Sequence, residues 1–117
     1  MDSRSNPDTQ HRTHLSAELE RLRARAERLD AELAALVRAR SGAPDDDEHD
    51  PDGEPFSAQW SLRAGLLESA RADLQQAEAA MQRVDDGSYG TCLTCGGAIP
   101  SGQLEVRPFR ERCVSCS

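Results

Sequence analysis

The sequence contains no lysine: all 14 cationic side chains are arginine. Together with the many alanines, this suggests a high-GC genome and says nothing of mechanism. Aromatic residues make up only 3% of the 117 residues, which excludes a large globular core. A chain of this length holds one small domain, and such domains need a staple beyond hydrophobic burial. No apolar run approaches the ~20 residues of a membrane span, and the first residues lack the apolar centre of a signal peptide. Cysteine is missing from the first 91 residues; all four lie between 92 and 116.

Those four form two pairs, Cys92-Leu-Thr-Cys95 and Cys113-Val-Ser-Cys116, with seventeen residues between them. A two-residue gap lets the chain turn in a tight knuckle with both thiolates on one cation, and two knuckles complete a tetrahedron. Gly96 and Gly97 follow the first pair, where backbone amides turn back toward the sulfurs. The spacing predicts one structural zinc ion held by Cys92, Cys95, Cys113 and Cys116. Without an export signal such cysteines belong in a reducing cytoplasm; two disulfide bridges are the alternative. Four thiolates leave no open position for catalysis, and no strand–helix alternation supports a redox Cys-x-x-Cys, so no enzyme is expected. An iron site of the rubredoxin kind shares the ligands but lacks here its aromatic-rich sheet.

The net charge of −7 is local. Residues 41–57 carry seven acids and no arginine, and the other 14 acids balance the 14 arginines. Phosphate backbones need cationic partners, so this segment suits a basic or metal-containing surface instead. Around the cysteines, Arg107, Arg110 and Arg112 face Glu105 and Glu111, a thin footprint for duplex DNA. Setting Gly53 as the glycine of an EF-hand loop puts Glu48, Asp50 and Asp52 at its first ligand positions. Its last ligand position then falls on Gln59, and Pro51 stiffens the turn, so no dedicated calcium site is expected.

Residues 1–13 are polar and aperiodic and read as a disordered tail. From Leu15 the apolar positions Leu15, Leu19, Leu22, Ala26, Leu29, Leu33 and Leu36 alternate by four and three, the seam of a coiled coil. Thr13 or Ser16 would cap this helix, and Gly42 with Pro44 would end it. Pro44, Pro51 and Pro55 keep residues 41–57 out of a helix. A second seam runs through Trp60, Arg63, Leu67, Ala70, Leu74, Ala77, Met81 and Val84, and Gly87 marks its stop. The expected fold is mainly α, a long antiparallel coiled-coil helical hairpin with a small C-terminal four-cysteine zinc finger. Its parts are a tail (1–13), a hairpin (14–86) and the finger (87–117). The hairpin has helices at about 14–40 and 58–85 and an acidic tip loop at 41–57. Loops or a small β-hairpin should join the knuckles, with no helix after Cys116. Two seams that satisfy each other within one chain favour a monomer.

One set of positions has a specific likeness. Gly87-x-Tyr89-Gly90-x-Cys92-x-x-Cys95-Gly96-x-x-Ile99, then Leu104-x-x-Arg107-Pro108, then Cys113-x-x-Cys116, resembles the zinc finger of the DksA/TraR family. The resemblance implies a bacterial transcription regulator that binds RNA polymerase rather than promoter DNA. Family members insert the coiled coil into the secondary channel, the tip nearing the catalytic magnesium, in some members together with the alarmone ppGpp. The family's tip carboxylates fall on Asp47 and Asp50 by spacing, and Asp52 stands where the family motif has alanine. Asp47, Asp50 and Asp52 are therefore the expected partner-binding residues. An acidic tip suits a basic, cation-containing channel on electrostatic grounds as well. The other reading is a zinc-stapled coiled-coil adaptor for a different protein.

Overall fold

The computed structural model describes residues 7–41 and 55–116. Two long helices, α1 (Pro7–Ser41) and α2 (Phe56–Asp86), pack side by side, and a short α3 (Ser101–Val106) follows. Cross-helix ion pairs fix the direction: Arg12–Asp85, Arg25–Asp73, Arg71–Asp30 and Arg63–Glu32 climb α1 while descending α2, so the pair is antiparallel. Each lies at the solvent-facing edge of the pair and is worth about 0–1 kcal/mol, so these pairs set register more than stability. The molecule is elongated, 70 × 32 × 21 Å. No helix among the described residues is long and apolar enough to cross a membrane.

The alternating seams supply the interface. Leu15, Leu22, Ala26 and Leu29 of α1 are buried against Leu67, Ala70, Ala77, Ala80 and Val84 of α2, with Leu33, Leu74 and Met81 packed beside them. Ala70, Ala77 and Ala80 are 0% exposed, so the backbones approach closely there. Ala80 was not in the expected seam. Trp60, placed on it by spacing, is 43% exposed, and Val37, Leu62 and Leu66 are exposed as well. Heptad spacing is uniform along both helices, whereas burial fades toward the loop end.

The start of α1 differs from expectation. It begins at Pro7, inside the segment expected as a tail, and Thr13 and Ser16 lie within the helix rather than capping it. Proline at the first helical position loses no bond, because that N–H has no intrahelical partner anyway. The added turns find tertiary partners that no heptad pattern reveals. His11 lies 4.9 Å from the Tyr89 ring, and Arg12 pairs with Asp85 at 2.6 Å. At the far end Arg40 sits 5.2 Å over the Phe56 ring, holding the two helix ends together. Asp47, Asp50 and Asp52, with Gly42 and Pro44, lie outside the described residues.

α2 stops sharply. Gly87 adopts φ 85°, its N–H bonds the Val84 carbonyl at 3.3 Å, and the Ser88 N–H bonds the Arg83 carbonyl at 2.9 Å. This is a Schellman closure, which needs the left-handed residue that glycine supplies without strain. Asp86 accepts bonds from the Ser88 hydroxyl and amide, which lower its carboxyl below the ordinary value.

Candidate metal centre

The first knuckle grows out of a short antiparallel crossing. Cys92 N–H bonds the Gly97 carbonyl (2.8 Å), Ile99 N–H bonds the Gly90 carbonyl (2.7 Å), and Thr91 bridges Ala98. Between them Gly96 N–H closes onto the Cys92 carbonyl at 2.9 Å, with Gly96 at φ 75°. The turn therefore requires glycine at 96. At Gly97 a β-carbon would meet the Cys95 sulfur only at ordinary contact distance, 3.5 Å, so crowding does not dictate that residue. The second knuckle closes through the Cys116 N–H to the Cys113 carbonyl at 3.0 Å.

Instead of loops or a β-hairpin, the connection between the knuckles holds α3. It starts where the Pro100 carbonyl receives the Gln103 and Leu104 amides. Six residues make a marginal helix alone. Leu104 secures it by burial with Ile99 and Cys92, flanked by Tyr89, Cys113 and Cys116. Gln103 reaches across, its Oε1 accepting the Val114 N–H at 3.1 Å. A strap at 107–112 ties the two knuckles from the other side. Leu93 N–H bonds the Glu111 carbonyl, and Arg112 Nε donates to Thr94 Oγ1, both at 2.9 Å. Arg110 Nη1 bonds the Arg112 carbonyl at 3.0 Å. Two of the three arginines near the finger thus serve its own structure.

The four cysteine sulfurs all lie within 4.8 Å of one another, and Cys95 Sγ to Cys113 Sγ is 4.0 Å. A tetrahedron with ~2.3 Å zinc–sulfur arms has edges of about 3.8 Å, so the cluster fits one structural zinc ion. Cys92 is 1% exposed and Cys95 open to solvent. The Cys95 amide points at Cys92 Sγ from 3.5 Å. That amide foremost, then the Cys113 amide, pulls the Cys92 thiol down to about 6 against its burial. Cys116 is pushed up to about 12 by sharing hydrogen bonds first with Cys113 and then with Cys92. The metal-free cluster thus holds its first negative charge on Cys92 and resists the last.

Zinc must displace the remaining thiol protons, so its binding releases protons and weakens as pH falls. Calorimetric titration in buffers of different ionisation enthalpy should give fewer than four protons per zinc at pH 7, since Cys92 is already ionised. The number should climb toward four as pH falls through about 6, the Cys92 value. A proton count that does not change across this range would contradict the assignment.

The finger is seated on the hairpin's base. Leu15, Ala80 and Val84 form a buried cluster against which Met81, Tyr89 and Phe109 pack. Tyr89 belongs to both the base and the finger cores, and its hydroxyl donates to the Pro108 carbonyl at 2.7 Å. Half-burial raises its phenol above the ordinary value, with Arg83 opposing. Arg83, Gln103 and Thr94 carry no role legible in the sequence, and Arg112 counts there only toward a thin footprint for duplex DNA. Their partners lie 11 to 28 residues away, and no local pattern marks such bonds.

Comparison with known proteins agrees with this geometry. Residues 87–116 match the prokaryotic dksA/traR C4-type zinc finger model. The RNA polymerase-binding transcription factor DksA of Escherichia coli is 29% identical over 58 residues, 50% of this chain and 38% of the relative. The protein of the same name from Haemophilus influenzae is 29% identical over 58 residues, 50% of this chain and 40% of the relative. The chain thus spans only about a third to two-fifths of the curated relatives it matches. The structure of transcription factor DksA2 from Pseudomonas aeruginosa superposes with a TM-score of 0.79 at 26% identity, covering 93% of this chain and 78% of that one.

Proposed function

We propose that this chain belongs to the DksA/TraR family, whose zinc-finger model matches residues 87–116, and that it binds RNA polymerase and modulates transcription initiation. The observation that carries this reading is the similarity to DksA2 over 93% of the chain, which takes in the rod as well as the finger. In this reading the zinc finger is the anchor, and the hairpin is a probe inserted into the secondary channel. Asp47, Asp50 and Asp52 then act at its end, near the catalytic magnesium. The concentration of seven acids between residues 41 and 57 on an otherwise balanced chain supports that role. A channel that admits nucleotides is basic and holds a divalent cation, so such an end is drawn inward. The protein acts as a monomer in the cytoplasm, without catalysis of its own and without reading DNA sequence.

The test is initiation by the cognate polymerase, with and without ppGpp, using the wild type and an Asp47→Asn/Asp50→Asn/Asp52→Asn variant. The wild type should co-elute with polymerase and change open-complex lifetime. The variant should still bind but lose about tenfold of the effect, equivalent to about 1.4 kcal/mol. Absence of polymerase binding by the wild type would sink the proposal and leave the adaptor reading. Equal effects from the two proteins would clear the acids of their role.

A further inference from the structure

Where the finger meets the hairpin, apolar contact and directional bonds do different jobs. The cluster of Leu15, Ala80, Val84, Tyr89 and Phe109 excludes water and seats the finger, but apolar packing is non-directional and defines an angle less sharply than hydrogen bonds do. The side-chain hydrogen bonds from the hairpin to the strap at 107–112 converge on Arg83. Its side chain is only 12% exposed, so its donors have few solvent partners. Nη2 donates to the Phe109 carbonyl at 3.3 Å, and Nη1 to Glu111 Oε2 at 3.5 Å. Its own carbonyl receives the Ser88 and Tyr89 amides, which fixes the backbone from which the guanidinium reaches. The strap that it grips is fastened on its other side to the first knuckle, through Leu93–Glu111 and Thr94–Arg112. A planar fork holding two acceptors resists rotation in a way that one point charge does not.

We infer that Arg83 is a positioning residue that sets the angle between hairpin and finger, and with it the place of the rod's far end. Its functional consequence rests on the polymerase reading; its structural consequence does not. The leverage is large: along about 45 Å of helix, a turn of about 10° at the junction displaces the far end by about 8 Å. A partner that holds the finger would then meet the tip in the wrong place.

The experiment uses the zinc-loaded full chain and Arg83→Gln, compared by amide residual dipolar couplings. In the wild type a single alignment tensor should fit hairpin and finger together. In Arg83→Gln the finger couplings should shrink relative to those of the hairpin, with one zinc per chain and unchanged helix content. The effect on initiation should fall about tenfold, the scale of a lost hydrogen bond to a charged group. Arg83→Lys should recover only part of both readouts. Undiminished finger couplings sharing one tensor in Arg83→Gln overturn the inference. If Arg83→Gln does not fold, Glu111→Gln is read in the same way: reduced finger couplings support the inference and undiminished ones overturn it. A wild type without effect on polymerase would count against the polymerase reading alone, since the couplings still decide the role of Arg83.

Discussion

Stripped of zinc under reducing conditions, or carrying Cys92→Ser, the chain is expected to lose the finger and keep the hairpin. Half of the finger's apolar core consists of the ligands themselves: Cys92, Cys113 and Cys116 beside Ile99, Leu104 and Tyr89. The only regular helix in the finger is the six-residue α3, too short to persist alone. Zinc is therefore the finger's principal source of stability, and structural zinc in such modules contributes about 10–16 kcal/mol at neutral pH. The hairpin keeps its own buried seam from Leu22 to Ala77 without touching the metal site. Amide resonances of residues 87–116 should collapse toward random-coil positions, while far-UV helicity falls by little more than α3. A chelated protein that keeps a dispersed finger spectrum would refute the zinc staple.

The second large effect lies at Leu15. It is 1% exposed and packs where α1, α2, Tyr89 and Phe109 meet. Leu15→Ala leaves a cavity that neither helix can close without moving the finger, and such truncations cost about 2–5 kcal/mol. Against a total stability of about 5–15 kcal/mol, that is a large fraction. Leu62→Ala is the control. Leu62 is 60% exposed, and its loss should cost within about 0.5 kcal/mol. Thermal unfolding of the zinc-loaded proteins should separate the two by roughly 10 °C. Similar melting of both variants would mean that Leu15 does not join finger and rod in one core.

The heptad periodicity made the hairpin readable, and the two Cys-x-x-Cys pairs made the metal centre readable, because both depend on short-range spacing. What escaped depends on contacts distant in sequence. The first turns of α1 look like a polar tail until His11 and Arg12 are seen against Tyr89 and Asp85. Trp60 fits the seam by count, yet the packing has thinned where it sits. Helix α3 is a weak local helix that Leu104 holds in place through burial. Arg83 resembles any basic residue in a last helical turn, and its grip on the strap comes from a segment 26 to 28 residues later.

The fully buried alanines at 70, 77 and 80 bear on the calibre of the molecule. Helix axes approach to about 8 Å when small residues meet, against about 10 Å for large ones, and Ala70 shares its cluster with Ala26. Two helices about 10 Å thick at that spacing give a rod roughly 10 by 18 Å in cross-section. Leucines at those three positions would bury more surface but thicken the shaft. Through its alanines the sequence trades burial for slenderness along the described shaft.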